Sequence, residues 1–142
     1  MPELRRSLLP VCLALLLPAC AGLVAGPAVE SSSTVAVTRD STWARARRAF
    51  SAEGLTPDVA DSIRGKLTGL RYPKATAPVT SVEACRIQVN MAMAPDASGT
   101  ALTWSTRWVA PETLAQNPAR CDEERVAVLS RIQSTITPPA TP

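Results

Sequence analysis

The strongest constraint on the fold of this chain is a strict alternation of residue types between positions 85 and 108. Its apolar members before and after the turn sequence at 95–99 are Cys85, Ile87, Val89, Met91, Met93, Leu102, Trp104, Thr106 and Trp108. A period of two residues is typical of strands that bury one face. The pattern therefore predicts a β-hairpin. Its register is firmly set, because a slip of one residue would expose two methionines or two tryptophans.

Met91, Met93, Trp104 and Trp108 form one stripe on the predicted hairpin, and this stripe has two interpretations. Methionines and aromatic residues at this spacing usually belong to the hydrophobic core. They also suit the wall of a cavity for a small apolar ligand, between the sheet and a C-terminal helix. A cavity of several hundred cubic ångströms beside them would favour a carrier, and a solid core would favour a protein that binds a partner.

The segment before the hairpin predicts a strand and a helix. Residues 34–38 form a short segment that is rich in β-branched side chains, which is typical of a first or edge strand. Asp40 or Ser41 is suited to capping a helix over 42–52, and Gly54 is suited to ending it.

Two further segments leave alternatives open. Residues 55–72 fit a hairpin better than a helix that begins near Pro57, because a hairpin lets the chain return directly. The last helix begins either at 117–118 or at the acidic run 122–124, which would complement the helix dipole. Its predicted apolar side consists of Val126, Val128, Leu129, Ile132 and Ile136.

These elements predict one α+β domain over residues 34–136, in which a small antiparallel sheet of four to five strands packs against two helices. That length suits a single core. Residues 20–33 are serine-rich and are predicted to form a flexible tether. Residues 137–142 are proline-rich and are predicted to be a disordered tail.

The first 19 residues have the pattern of an export signal. Arg5 and Arg6 precede an apolar run over 8–17, which is too short to span a bilayer. The sequence LPAC at 17–20 resembles the lipobox of bacterial lipoproteins, in which an aliphatic residue and two small residues precede a cysteine. The resemblance implies cleavage before Cys20 and a diacylglycerol on its sulfur, usually with a third acyl chain on its amine.

A lipidated Cys20 would hold the protein on a membrane, because two or more acyl chains anchor stably where one does not. Ala21 in place of an acidic residue resembles the outer-membrane sorting signal of Gram-negative lipoproteins. The expected location is therefore the outer membrane, on the side that faces the periplasm. The alternative is a secreted or soluble periplasmic protein, cleaved at a small residue such as Gly22 or Gly26.

Cys85 and Cys121 remain as a pair in an oxidising compartment, where a disulfide is the expected state. They lie 36 positions apart, and closing a loop of that size stabilises a fold by about 4 kcal/mol on the chain-entropy estimate. A redox-active pair would need a spacing such as C-x-x-C, which lowers the pKa of a thiol. The sequence therefore predicts a structural disulfide.

The composition argues against the common kinds of enzyme active site. The chain has 0 histidines, and it contains neither the common serine-hydrolase and zinc-protease motifs nor a phosphate-binding glycine loop. Asp58 and Asp61 are the nearest acidic pair, but they lie beside a predicted turn, where they are expected to cap locally. We therefore expect no enzymatic activity, no metal and no cofactor.

The charge of the chain argues against nucleic acid as a partner. Loss of the signal removes two arginines and one glutamate from 15 basic and 12 acidic residues, which leaves a net charge of +2. Nucleic-acid binding usually depends on a concentrated basic face.

The segment 42–67 resembles the start of domains in BamC, a lipoprotein of the outer-membrane assembly machinery. The matching residues are Thr42-Trp43-Ala44-Arg45, Phe50, Gly54-Leu55, Asp61 and Gly65-Lys66-Leu67. In those domains a helix with an early tryptophan precedes a strand, an acidic turn with glycine and a second strand. The resemblance implies a helix-grip-like domain and a binding role at the cell envelope.

Two functions follow as expectations. The first is a non-catalytic, lipid-anchored binding or assembly module, which offers an exposed sheet face or the edge strand 34–38 to an envelope protein. The alternative is a carrier of a small apolar ligand, with Met91, Met93, Trp104 and Trp108 around its cavity.

Overall fold

The computed structural model describes residues 22–78, 80–115 and 118–137. The elements there are β1 (Leu23–Ala25), β2 (Val29–Val35), α1 (Arg39–Ala52), β3 (Thr56–Asp61), β4 (Lys66–Arg71), a 3-10 turn (Val82–Ala84), β5 (Arg86–Asp96), β6 (Gly99–Pro111), α2 (Glu112–Ala115) and α3 (Pro118–Ile136). No helix in these ranges is both long and apolar enough to cross a bilayer. The predicted signal peptide, Cys20 and residues 138–142 of the predicted tail lie outside them.

All six of these strands form one antiparallel sheet in the order β1-β6-β5-β4-β3, and β2 also pairs with β6. β1 lies opposite the end of β6 at residues 109–111, and β2 lies opposite residues 100–106. The two N-terminal strands therefore follow one another along the same edge. The predicted α+β class is confirmed, and the sheet has six strands rather than four to five because the N-terminal segment forms two strands where one was predicted.

The long hairpin of β5 and β6 has the predicted alternation. Met91 lies opposite Trp104, and Ile87 lies opposite Trp108. The odd-numbered residues from 87 to 93 and the even-numbered residues from 100 to 110 are buried. This face of the sheet packs against the helices, and the other face is more exposed.

The helix α1 reaches the inner face of the sheet because β4 has a glycine at the contact. A Cβ atom at Gly69 would lie 2.7 Å from Cδ1 of Phe50 and 2.9 Å from Cβ of Leu55. Any larger residue would push this helix away from the sheet. Phe50 is fully buried as a result.

The helix α3 covers the inner face with residues spaced three or four apart, as expected for one helical face. Its buried residues are Cys121, Arg125, Val128, Ile132 and Ile136. The predicted apolar side was therefore partly wrong, because Val126 is 50% exposed and Arg125 is buried. The physical reason is that Cys121 faces the sheet, and the residue four positions later shares its face.

The N-terminal boundary of the domain differs from the prediction. The tether predicted over 20–33 contains β1 and, from Val29 onward, β2. The strand predicted over 34–38 ends at Val35. Most β2 side chains are exposed, so pairing of its backbone with β6, rather than a hydrophobic pattern, holds it in the sheet.

The start of α1 also differs. Thr38 caps the helix in place of Asp40 or Ser41, and its side-chain oxygen accepts a hydrogen bond from the backbone N–H of Ser41 at 3.4 Å. Both open alternatives are decided by the structure. Residues 56–71 form the hairpin of β3 and β4, and α3 begins at Pro118.

Candidate functional site

The predicted stripe lies inside the core. Met91, Met93, Trp104 and Trp108 are 1 to 6% exposed and belong to one cluster of buried residues beneath the helices. Trp104 satisfies its indole N–H by donating to the Ser33 hydroxyl at 3.3 Å. The four side chains therefore contribute to the stability of the hairpin.

A depression of about 280 Å³ reaches Met91 and Trp104, but it opens on the outer face of the sheet. Its remaining lining residues are Glu30, Lys66, Thr68, Asn90, Ala92, Thr103 and Ser105. They occupy strand positions that alternate with the buried ones, so their side chains point away from the helices. The depression is therefore no cavity between the sheet and α3.

A larger groove lies where the end of α1, the end of β4 and α3 meet. It has a volume of about 440 Å³ and is lined by Ala52, Glu53, Gly54, Arg71, Tyr72, Lys74, Val82, Glu83 and Glu124. We call it the rim groove. Its residues come from four separate segments of the chain, so no local sequence pattern marks it.

A chain of ion pairs forms one wall of the rim groove. Arg71 lies 2.8 Å from Glu124, and these two side chains are 22% and 25% exposed. Arg131 donates two hydrogen bonds of 2.8 Å to Glu53 and lies 3.8 Å from Glu124. The four charges thus connect β4, α3 and the end of α1.

The electrostatics of this wall favour the charged form of one side chain, Arg131. The hydrogen bond to Glu53 raises the pKa of Arg131 above its ordinary value, burial opposes the shift, and the charges of Glu53 and Glu124 add to it. The wall therefore presents paired charges rather than one net sign.

The rest of the lining includes an aromatic and an aliphatic side chain, Tyr72 and Val82. Tyr72 is 53% exposed, and the guanidinium carbon of Arg86 lies 5.0 Å from the centre of its ring. Lys74 pairs with Glu83 at 2.6 Å, next to the lining residue Val82. The groove therefore joins an aromatic, partly apolar side to a charged one.

The predicted disulfide is present and confirmed. Cys85 and Cys121 are bonded, with their Cα atoms 5.8 Å apart, and both are buried. The bond joins the residue before β5 to the first turns of α3. Its burial leaves it inaccessible to a redox partner, which agrees with a structural role.

The predicted acidic pair contributes a local cap. The carboxylate of Asp61 accepts a hydrogen bond of 2.9 Å from the backbone N–H of Arg64 in the turn between β3 and β4. Within the ranges that the structure describes, no three His, Cys, Asp or Glu side chains lie close enough to hold a metal ion.

No protein-family model matches the chain, and no curated protein matches it in sequence. Solved structures do match it. Ara h 8.0201 aligns with a TM-score of 0.51 at 8% identity, over 81% of this chain and 98% of its own. A protein from Thermus thermophilus aligns with a TM-score of 0.42 at 10% identity, over 78% of this chain and 97% of its own. A protein from Chromobacterium violaceum aligns with a TM-score of 0.40 at 11% identity, over 80% and 99%.

The likeness to Ara h 8.0201, at 8% identity, shows a shared fold alone. That fold is the helix-grip arrangement, in which an antiparallel sheet packs around a long C-terminal helix. The predicted helix-grip-like class is therefore confirmed.

Proposed function

We propose that this chain is a non-catalytic, lipid-anchored binding module that takes a small amphipathic ligand in the rim groove. The observation that carries the proposal is the groove itself. Its volume of about 440 Å³ lies within the range of small-molecule sites, roughly 300–1,000 Å³. It also lies where sheet, α1 and α3 meet, which is a place where one ligand can contact three elements at once.

The lining residues define the chemical class of the ligand. Tyr72 and Val82 offer an aromatic and an aliphatic surface, which suits an apolar ligand body. Arg71 and Glu124 already pair with each other, so a bare ion would have to break that pair to bind. A ligand with an apolar body and a neutral or zwitterionic polar group fits this lining best.

The proposed site differs from the one that the sequence suggested for a carrier. The stripe of Met91, Met93, Trp104 and Trp108 is buried in the core, so a ligand there would have to displace packed side chains. The rim groove is open to solvent and needs no such rearrangement.

A substitution at Ala52 tests the groove. Ala52 is exposed and lines the groove at the end of α1, so Ala52→Trp fills the site without entering the core. With 6-propionyl-2-dimethylaminonaphthalene, a neutral amphipathic probe, calorimetry should show binding to the native protein and about tenfold weaker binding to Ala52→Trp, which corresponds to about 1.4 kcal/mol.

The neighbouring residue supplies the control. Ser51 is also exposed on α1, but it does not line the groove. Ser51→Trp adds the same bulk and should leave probe affinity within about twofold of the native value. Equal affinity for the native protein and Ala52→Trp would remove the groove as the site.

The anchor belongs to the same proposal. The LPAC sequence at 17–20 supports lipidation of Cys20, and Ala21 supports the periplasmic face of the outer membrane. Cys20 lies outside the described residues, so this part of the proposal depends on the sequence alone.

An assembly module at the cell envelope is the second candidate function, and β2 favours it. This strand pairs with β6 on one side and lies at the edge of the sheet formed by the described residues. Such an edge can accept a strand from a partner protein.

A photocrosslinker at Ser32 should then give a discrete adduct in intact cells. The same group at Ile63, which is 87% exposed elsewhere, should not, and background signal at both sites would count against this candidate.

A further inference from the structure

We infer that the end of the sheet that carries β1 is the surface that faces the bilayer, so that the domain has a fixed orientation on the membrane. This inference rests on the proposed lipid anchor at Cys20. The proposed partner of this end of the sheet is the lipid surface of the membrane.

The distance between the anchor and the fold is short. Only residues 21 and 22 separate Cys20 from Leu23, and the three steps between their Cα atoms span at most about 11 Å. Leu23 is paired with Pro111, and the carbonyl of Gly22 accepts a hydrogen bond of 2.9 Å from the N–H of Glu112. The chain is therefore held by the sheet almost from the acylated residue onward, and the domain has no long tether on which to rotate.

This end of the sheet exposes apolar side chains. Leu23 is 67% exposed and Val24 is 39% exposed. An apolar slot of about 150 Å³ lies next to Leu23 and is lined by Leu23, Pro73, Ala77, Ala84, Arg86, Val109 and Pro111. We call these seven residues the β1 patch. Val24 pairs with Ala110 of the inner face, so its side chain points to the other side of the sheet. An exposed leucine contributes little to the folding of the domain, but it suits the boundary between headgroups and acyl chains.

The edge of the β1 patch carries groups that suit a lipid headgroup region. Tyr72, which contacts Arg86, combines an aromatic ring with a polar hydroxyl, the combination found at membrane interfaces. Lys74 directly follows Pro73 of the patch in the chain. The cations of Lys74 and Arg86 can approach lipid phosphates.

Acidic residues at the same end of the sheet weaken the attraction between these cations and lipid phosphates. Glu83 pairs with Lys74, and Glu112 follows directly after β6. The net positive charge of this end is therefore small. Apolar contact and the short spacer, rather than charge, fix the orientation.

The orientation also places the proposed binding site. Tyr72 and Lys74 line the rim groove and lie in the segment that borders the β1 patch. The groove then opens close to the bilayer surface, where an amphipathic ligand is most concentrated.

Fluorescence of lipidated protein in vesicles tests the inference. In mature lipidated protein Cys20 is a thioether and Cys85 is bonded to Cys121, so one introduced cysteine is the single free thiol. Leu23→Cys and Pro73→Cys place an environment-sensitive dye at two points of the β1 patch. Ile63→Cys is the control, since Ile63 is exposed in the turn at the opposite end of β4. The vesicles contain phosphatidylethanolamine and phosphatidylglycerol with a nitroxide-labelled lipid.

Both patch sites should show blue-shifted emission and at least ~threefold more quenching than Ile63→Cys. A residue at the membrane interface lies about 5–10 Å inside the boundary between headgroups and acyl chains, where its dye meets less water and more nitroxide-labelled lipid. Pro73→Cys leaves Leu23 intact, so it keeps the test valid if loss of the leucine weakens contact. Equal quenching at all three sites, or stronger quenching at Ile63→Cys, would overturn the inference. Absence of acyl mass on Cys20 would also overturn it. Ligand binding by the groove is judged separately, by calorimetry of Ala52→Trp.

Discussion

At the scale of single residues, Arg125 is the side chain that most changes the interpretation of α3. It is 5% exposed, and it donates to the Thr106 hydroxyl at 2.8 Å and to the Asp122 carboxylate at 2.9 Å. Thr106 in turn donates to the carbonyl of Val29 at 3.5 Å. One arginine thus links α3 through β6 to β2. The sequence placed Thr106 on the apolar face but gave no sign that its partner was a cation.

Loss of Arg125 should destabilise the fold strongly. Arg125→Ala removes a buried residue and leaves a buried hydroxyl without its donor, so we expect a loss of about 3 kcal/mol in the free energy of unfolding. Arg125→Met keeps most of the volume and should cost less. Urea unfolding followed by circular dichroism measures both.

Asp122 provides the matched control for this prediction. Its side chain is 50% exposed, so solvent screens its pairing with Arg125, and Asp122→Ala should cost under ~1 kcal/mol. An equal loss in Asp122→Ala and Arg125→Ala would mean that the ion pair, rather than the contact with Thr106, holds the helix.

At the scale of elements, the sequence predicts those whose side chains alternate between core and solvent. The strands β5 and β6 are predictable for this reason, because one face of each is buried along most of its length. The strand β2 is predicted only at its last two residues, Thr34 and Val35, because its other residues are largely polar and exposed. Its place is determined by backbone pairing with β6 and by side-chain contacts such as that of Ser33 with Trp104. Such contacts join residues about 70 positions apart, beyond the reach of local patterns.

The disulfide is the covalent link between two of these elements. Replacement of both cysteines, Cys85→Ala with Cys121→Ala, should lower the free energy of unfolding by about 4 kcal/mol, because the open loop regains entropy in the unfolded chain. Guanidinium unfolding compares this variant with the native protein. Protein that is reduced while unfolded in guanidinium and then refolded in reductant should approach the same stability. Unchanged stability in both cases would show that packing of α3 alone holds the helix to the sheet.

At the scale of the whole molecule, the rim groove shows why the site was harder to predict than the fold. Glu53, Arg71, Glu124 and Arg131 converge only after α1, β4 and α3 have packed together. Each of them alone looks like an ordinary charge on a solvated surface. The sequence instead directed attention to the methionine and tryptophan stripe, whose chemistry is the same whether it lines a cavity or fills a core.

The proposed anchor concerns the whole molecule, because acylation of Cys20 would attach the entire domain to the membrane. Cys20→Ser should move the protein from the membrane fraction to the soluble periplasmic fraction, because the acyl chains supply the stable attachment. Fractionation with immunoblotting measures this. Cys12→Ser is the matched control and should stay in the membrane fraction, since Cys12 lies within the predicted signal. If Cys20→Ser remained on the membrane after mass spectrometry had shown removal of its leader, the β1 patch or a protein partner would have to hold it there. The close approach of Leu23 to the bilayer would then need a cause other than the lipid.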